Sequence, residues 1–487
     1  LSLLLEIKTK KDEIKAKQIF QKLKNKETII SLKDIEFEDS LEFGLIYAAK
    51  KYLKKIGIEE AIKETFREEK KQFDLYNTLL YAGINRLYKP GSDNNFADWL
   101  KEAWSEEDIK PHQIYRMLDA VEKHKEEIEK AIYEQLKRNE LKTDIVFYDL
   151  TSSYFESSDS DFAKFGNTKD YISDRKQIVI GVILCDGLPI THYVFKGNTV
   201  DKSTLKQTVE DLKTRFNIEK VIFVADRGII TVNNLKELEQ NNYDYIIHFA
   251  TQNDAPFLLR KNKCLATKRR NELLAKPIST KENISAKEVY KEDNRRYVLC
   301  LNKEVRTAEL KMIKELKNKL EKFLTENKDK KDLKLKVYRK FGKASKFVDF
   351  ENIKINEETL KYELQIAGKF LLVTTTEMNK DKVLDEYKEL RTIESFFSDL
   401  KHFVNIRPIY HQKTRRINGH VFVCVFSLLI KKLLEKKIER NDVEKLKKIK
   451  LGVLNTGEER IFIVKKIGEM DRKIFESIGI EAPGKFM

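Results

Sequence analysis

Two aspartates each close an apolar run, Asp149 after DIVFY and Asp226 after KVIFVA. Such runs read as short buried strands, and a side chain leaving the end of a strand stands beside a loop, where ligands of sheet proteins bind. If the two strands pair in parallel, their carboxylates come close together. Close carboxylates repel unless a cation holds them, and hard oxygen ligands suit Mg²⁺ or Mn²⁺. Taken singly, each aspartate is better explained as a turn former at a strand end. A third carboxylate lies in YKELRTIESFFSDLK, residues 387–401. Leu390, Ile393, Phe397, Leu400 and Val404 recur at three- and four-residue steps, which predicts one amphipathic helix. Tyr387, Glu394 and Lys401, with Arg391 between the first two, run as a polar stripe along the border of that face. Ion pairing from Arg391 to Glu394, about 0.2–0.5 kcal/mol, accounts for this stripe in isolation.

Positioning three such groups requires a sheet and a helix, and the chain's texture supplies both. Residues 1–140 read as a helical domain, with a Pro90-Gly91 turn and a helix capped at Ser92 or Asp93. From 141 to 250 short apolar runs alternate with helical periods. KQIVIGVILCDGLPITHYVF predicts a hairpin turning at Asp186-Gly187. Residues 251–365 turn highly charged and read as an insertion, whose lysines are explained as a solvated helix face. The strand KFLLVTTT, the acidic helix, the basic stretch RPIYHQKTRRINGH with Arg415 and Arg416, and a buried helix fill 366–435. A Lys/Glu-rich tail, 436–487, ends the chain.

The chain has 487 residues, 41% of them hydrophobic, which supports several cores rather than one. Its +16 net charge points towards polyanions, nucleic acid first. Abundant Lys with scarce Pro and Trp is also what an AT-rich coding sequence yields, so charge alone carries modest weight. Cys185, Cys264, Cys300 and Cys424 form no CxxC pair, which argues against a zinc site and suits a reducing cytoplasm. The run VFVCVFSLLI at 421–430 is too short to span a bilayer, and no membrane partner is expected. The opening LSLLLEIK lacks a cleavage pattern, arguing against a signal peptide. The first residue is Leu rather than Met, so an earlier start is expected.

Five stretches in order, VFYDLTSSYFE, FKGNTVDKSTL, VIFVADRGI, YKELRTIESFFSDLK and RPIYHQKTRRINGH, resemble bacterial insertion-sequence DDE transposases. The similar branch carries a tyrosine–arginine–glutamate–lysine signature around its acidic helix. The resemblance implies an α/β fold with a ribonuclease-H-like mixed sheet, an insertion domain and a helical N-terminal domain that binds DNA ends. It makes Asp149, Asp226 and Glu394 the catalytic, metal-holding carboxylates. Tyr387 and Lys401 match the signature's tyrosine and lysine as DNA contacts. The signature's arginine falls at 390, where this chain has Leu390, and Arg391 follows one residue later. Arg415 and Arg416 join the expected DNA-binding set. On this reading Glu394 sits at a core border because it must be rigid and still reach a metal.

The implied chemistry is cleavage at the element's ends followed by strand transfer into target DNA, with two Mg²⁺ or Mn²⁺ ions clamping the phosphate. The implied partners are duplex DNA, as terminal inverted repeats and target, and a second copy in a paired-end homodimer. A nuclease of the same fold without strand transfer, or a transposase-derived protein that only binds DNA, is the alternative.

Overall fold

This computed structural model describes residues 36–485 apart from 71–72, 106–108, 156–161, 166–174, 200–203, 219–220, 226–231, 250–270, 280–282, 293, 329–331, 456–459 and 465–466. Asp226 and Cys264 lie outside the described residues. The chain opens with β1 (Glu36–Glu42), α1 (Gly44–Lys55), α2 (Ile58–Thr65), α3 (Leu75–Tyr88) and α4 (Asp93–Glu102). Next come α5 (Pro111–Lys123), α6 (Lys125–Arg138), β2 (Ile145–Tyr154), β3 (Gln177–Cys185), β4 (Leu188–Lys196) and α7 (Leu205–Thr214). β5 (Ile222–Ala225), α8 (Val232–Gln240), β6 (Asp244–Phe249), β7 (Ile284–Glu292) and β8 (Arg295–Asn302) follow. The middle of the chain holds α9 (Lys303–Asn327), α10 (Leu333–Phe341), β9 (Val348–Asp349), β10 (Lys354–Ile355), α11 (Glu357–Ile366) and β11 (Lys369–Thr374). Then come α12 (Lys380–Lys388), α13 (Leu390–Ser398), α14 (Thr414–Glu435), α15 (Arg440–Lys447), β12 (Lys450–Asn455), β13 (Arg460–Val464) and α16 (Glu469–Ile478).

Two compact units divide the chain, Leu1–Ala120 with Leu429–Met487, and Val121–Leu428. In the first, helices accompany a three-stranded antiparallel sheet, β1-β12-β13. β1 departs from the all-helical expectation for the N-terminal region. Its sequence, EFEDSLE, has no apolar alternation, and its partner β12 is supplied from the far end of the chain. The Lys/Glu-rich stretch after 436 is folded through α15, β12, β13 and α16. Asp74 caps α3, its Oδ1 accepting from the Asn77 amide at 2.9 Å.

The second unit is built on an eight-stranded mixed sheet, β4-β3-β2-β5-β6-β11-β8-β7. β2, β5 and β6 run parallel, joined by the crossover helices α7 and α8, and the remaining pairs are antiparallel. Counted from β2, the first five strands lie in the order 3-2-1-4-5, the ribonuclease-H-like arrangement. β3 is buried along its whole length, so both faces of the sheet are covered there. The β3–β4 hairpin turns at the expected pair. Asp186 and Gly187 have φ 51° and 75°, the doubly left-handed form of a two-residue turn that matches strand twist.

The charged region divides in two. β7 and β8 join the sheet through β11, whereas residues 303–367 build a separate small core around Ile313, Leu320, Leu324, Val337 and Leu360. This subdomain leaves the sheet at Asn302 and returns at Gly368, whose carbonyl accepts the Asn302 amide at 2.9 Å. Gly368 has φ 69°, and a Cβ there would stand 2.6 Å from the Asn302 carbonyl oxygen, so only glycine fits.

α14 is long and apolar enough to cross a membrane, but 89% of its apolar window is buried, as in a core helix. α6, β4 and α7 are tied by a buried ionic cluster. Glu129 lies 2.8 Å from Lys125 and from the Thr191 hydroxyl, 2.8 Å from His192 Nδ1 and 3.1 Å from Arg215. Burial alone would raise the Glu129 pKa, but Lys125, His192 and Arg215 outweigh it and hold the carboxylate well below its usual range. Burial, with Lys125 and Arg215, outweighs Glu129 at His192 and pushes that imidazole down to about 4.

Candidate active site

Asp149 does not end its strand, contrary to the sequence expectation. β2 continues to Tyr154 because β3 runs beside it throughout, from Val146 opposite Cys185 to Tyr154 opposite Gln177. What ends is the pairing with β5, whose last rung joins Tyr148 to Ala225. Asp149 and Asp226 are the next residues after that rung in their respective strands' sequences. Asp149 is half-buried, and its Oδ1 accepts from the Leu150 amide at 2.7 Å. Further on, Phe155 bridges to Ile409, so the segment after the acidic helix returns to the continuation of β2.

The acidic helix is two helices. α12 carries Tyr387 and ends at Lys388, Glu389 takes ψ −8°, and α13 restarts at Leu390. The periodicity does not reveal this break, because no Gly or Pro marks it. α13 buries Leu390, Ile393 and Phe397, as its apolar stripe predicts, and Phe396 beside them. Leu390 is thus committed to the core, while Arg391 and Glu394 are exposed at its border. A π turn, Asp399–Phe403, follows. Its wider step rotates Lys401 out of the line through Arg391 and Glu394, so the seven-residue stripe is not continuous.

Asp149, Tyr387, Arg391 and Glu394 line one cleft of about 210 Å³, with Asn302 and Phe370. Lys401, Arg415 and Arg416 are not among its lining residues. Arg415 is exposed at the start of α14, and Lys401 and Arg416 are half-exposed. Among the described residues no ion pair joins Arg391 to Glu394, so the simple helix-pair explanation of the stripe fails. Two of the three expected carboxylates therefore share a cleft with a cation beside them. Among the described residues no group of three or more His, Cys, Asp or Glu could hold a metal ion.

Several neighbours gave no signal in the sequence. The Tyr387 ring packs against His248 at 6.1 Å and Phe370 at 5.9 Å, which come from β6 and β11. Tyr154 lies within 5.0 Å of the Arg175 guanidinium and 5.4 Å of Arg407, a cationic pair at the far end of β2. His420 is buried with Nε2 3.0 Å from the Ile406 carbonyl, which suits a structural role.

The family model described as a transposase DDE domain matches residues 140–430, the whole span from β2 into α14. The chain belongs to the transposase DDE family. No curated protein matches it. Among solved structures, a piggyBac transposase synaptic complex with hairpin DNA is similar at 8% identity and a TM-score of 0.39, covering 84% of this chain and 81% of that one. A Mos1 transposase paired-end complex with left transposon end is similar at 17% identity and a TM-score of 0.17, covering 37% of this chain and 60% of that one. The Mos1 mariner paired end complex with Mn shows 13% identity and a TM-score of 0.14, covering 49% and 78%. These likenesses are too slight to add to the family match. Within this DDE transposase, the family span includes every residue lining the cleft.

Proposed function

We propose that this DDE transposase moves a bacterial insertion sequence, cutting phosphodiester bonds at the element's ends and joining them to target DNA. The observation that carries the reading is the cleft that Asp149, one residue past the last β2–β5 rung, shares with Glu394. β2 and β5 pair in parallel up to Tyr148 and Ala225, and Asp226 is the residue that follows Ala225 in the sequence. Oxygen donors of this kind fit Mg²⁺ or Mn²⁺, which would be held by Asp149, Asp226 and Glu394. Held there, two such ions would supply activation of the attacking hydroxyl and stabilisation of the leaving oxygen. The chain's own residues fix the geometry: β3 holds β2 extended through Asp149, and the buried face of α13 fixes the direction of Glu394. Arg391, in the same cleft, would take the phosphate contact that the signature assigns to the preceding position, where Leu390 is buried. Lys401, Arg415 and Arg416 would act on DNA outside the cleft. A paired-end homodimer and a cytoplasmic location follow from this reading.

The test uses Asp149→Asn, Asp226→Asn and Glu394→Gln, which keep size and remove charge. Each is expected to abolish Mg²⁺-dependent cleavage of end-bearing DNA while leaving DNA binding nearly intact. Combining them should cost little more than one, since the groups act as a unit. Full activity in any single variant sinks the assignment. Cleavage without strand-transfer products would favour the nuclease alternative.

A further inference from the structure

The subdomain of residues 303–367 carries one helix of mixed charge and one that is purely cationic. α9 mixes signs and pairs its cations with acids, Lys317 with Glu321 at 3.8 Å and with Glu357 of α11 at 3.1 Å, and Lys322 with Glu326 at 4.0 Å. That is a solvated helix face. From Leu333 to Phe347 the chain instead holds six cations, Lys334, Lys336, Arg339, Lys340, Lys343 and Lys346, and no acid. Leu333 and Val337 anchor α10 in the subdomain core, and all six cations are exposed.

Three of the cations have local partners. Lys346 pairs with Glu363 at 2.6 Å, Lys340 lies 4.6 Å from the Phe323 ring, and Lys334 lies 5.6 Å from the Phe350 ring. Lys336, Arg339 and Lys343 have no ion-pair partner among the described residues. On α10, Lys336 stands three and four residues before Arg339 and Lys340, and Lys343 lies in the turn just past the helix end at Gly342. Like charges at those steps destabilise a helix by about 0.2–0.5 kcal/mol per pair. An anion laid across the helix reverses that penalty. Beside this row, Leu335 and Tyr338 are 52% and 50% exposed, and Tyr338 stacks on Phe350 at 5.8 Å. Neighbours on a helix surface stand about 5–6 Å apart, so the row offers closely spaced cations to a strand of phosphates.

We propose that α10 and the turn that follows it form a DNA-backbone contact surface, with Lys336, Arg339 and Lys343 engaging phosphates of duplex DNA outside the catalytic cleft. This rests on the reading of the chain as a transposase that holds duplex DNA. Contacts of this class are sequence-independent and register in the salt dependence of affinity.

The experiment compares the full chain with the triple variant Lys336→Gln, Arg339→Gln, Lys343→Gln, and with a control triple in α9, Lys311→Gln, Lys314→Gln, Lys319→Gln. Affinity for a linear duplex of arbitrary sequence is titrated across salt. Losing three phosphate contacts should reduce the slope of log affinity against log salt by about 2.7. The α9 control should leave it unchanged. The α10 triple should melt at or above the parent's temperature because repulsion is relieved, and should cleave normally at saturating DNA. An unchanged slope in the α10 triple, with a steep slope and cleavage in the parent, overturns the α10 surface and leaves the transposase reading standing. A flat slope in the parent overturns both. Loss of binding to anionic lipid vesicles with an unaltered DNA slope would assign α10 to a membrane instead.

Discussion

Tyr387 shows how one side chain can carry two roles that different substitutions separate. Its ring closes a three-ring cluster with His248 and Phe370, and it lines the cleft with Glu394. Tyr387→Ala removes both ring contacts, so a loss of about 1–3 kcal/mol is expected, each aromatic pair counting for about 0.5–1.5. Tyr387→Phe keeps the rings and should melt like the parent; any drop in its DNA affinity then measures the hydroxyl alone. Equal losses in both variants, by denaturant titration, would contradict this division. At this scale Asp149 and Glu394 could be picked out as candidates from runs and stripes, while their joint role came only from the resemblance of the five stretches. His248, Arg175 and Arg407 could not, because their relevance comes from strands that meet only in the folded sheet.

At the scale of elements, the β3–β4 hairpin was readable because apolar runs flank an Asp-Gly pair. The α12–α13 break was not, since Glu389 is an ordinary helix former and the apolar spacing runs on across it. Nor was β1, whose acidic sequence takes up extended structure from β12. The ionic cluster linking α6, β4 and α7 yields a prediction about acid. His192 titrates near 6.5 when unfolded and is pushed down to about 4 when folded, facing Lys125, Glu129 and Arg215. Between those values the unfolded chain binds more protons, so stability is full above about 6.5 and falls on acidification by up to about 1.4 kcal/mol per pH unit. Glu129, depressed in the fold, adds its own loss below the usual carboxylate range. His192→Asn should flatten the upper part of this profile. Urea midpoints measured from pH 7 to 4 check it, and an equal slope in both proteins would exclude His192 as the source.

At the scale of the whole molecule, the charged middle region could be recognised as interrupting the fold, but its division into sheet strands and a subdomain could not. RRYVLCL reads the same whether it pairs locally or extends a distant sheet. The structure gives residues 303–367 their own core and brings Asn302 and Gly368 together. Replacing 303–367 with a two-residue Asn-Gly turn should therefore preserve the β8–β11 pairing. The expected product is folded, cleaves end-bearing DNA at saturating concentration, and binds DNA more weakly than the parent. A shortened chain that fails to fold, judged by a lost cooperative melt, would show instead that the subdomain supports the sheet.

That closed neck also bears on the order of assembly. β11 lies between β6 and β8, so the sheet remains in two pieces until it docks. A flexible loop of this length would set β11 against β8 only after a closure cost that grows with the logarithm of its length. A subdomain that condenses first, around Leu320 and Val337, delivers both ends of that loop already adjacent. The interruption would then become a local contact in kinetic terms, and the long excursion through α9, α10 and α11 would speed the pairing of β11 with β8.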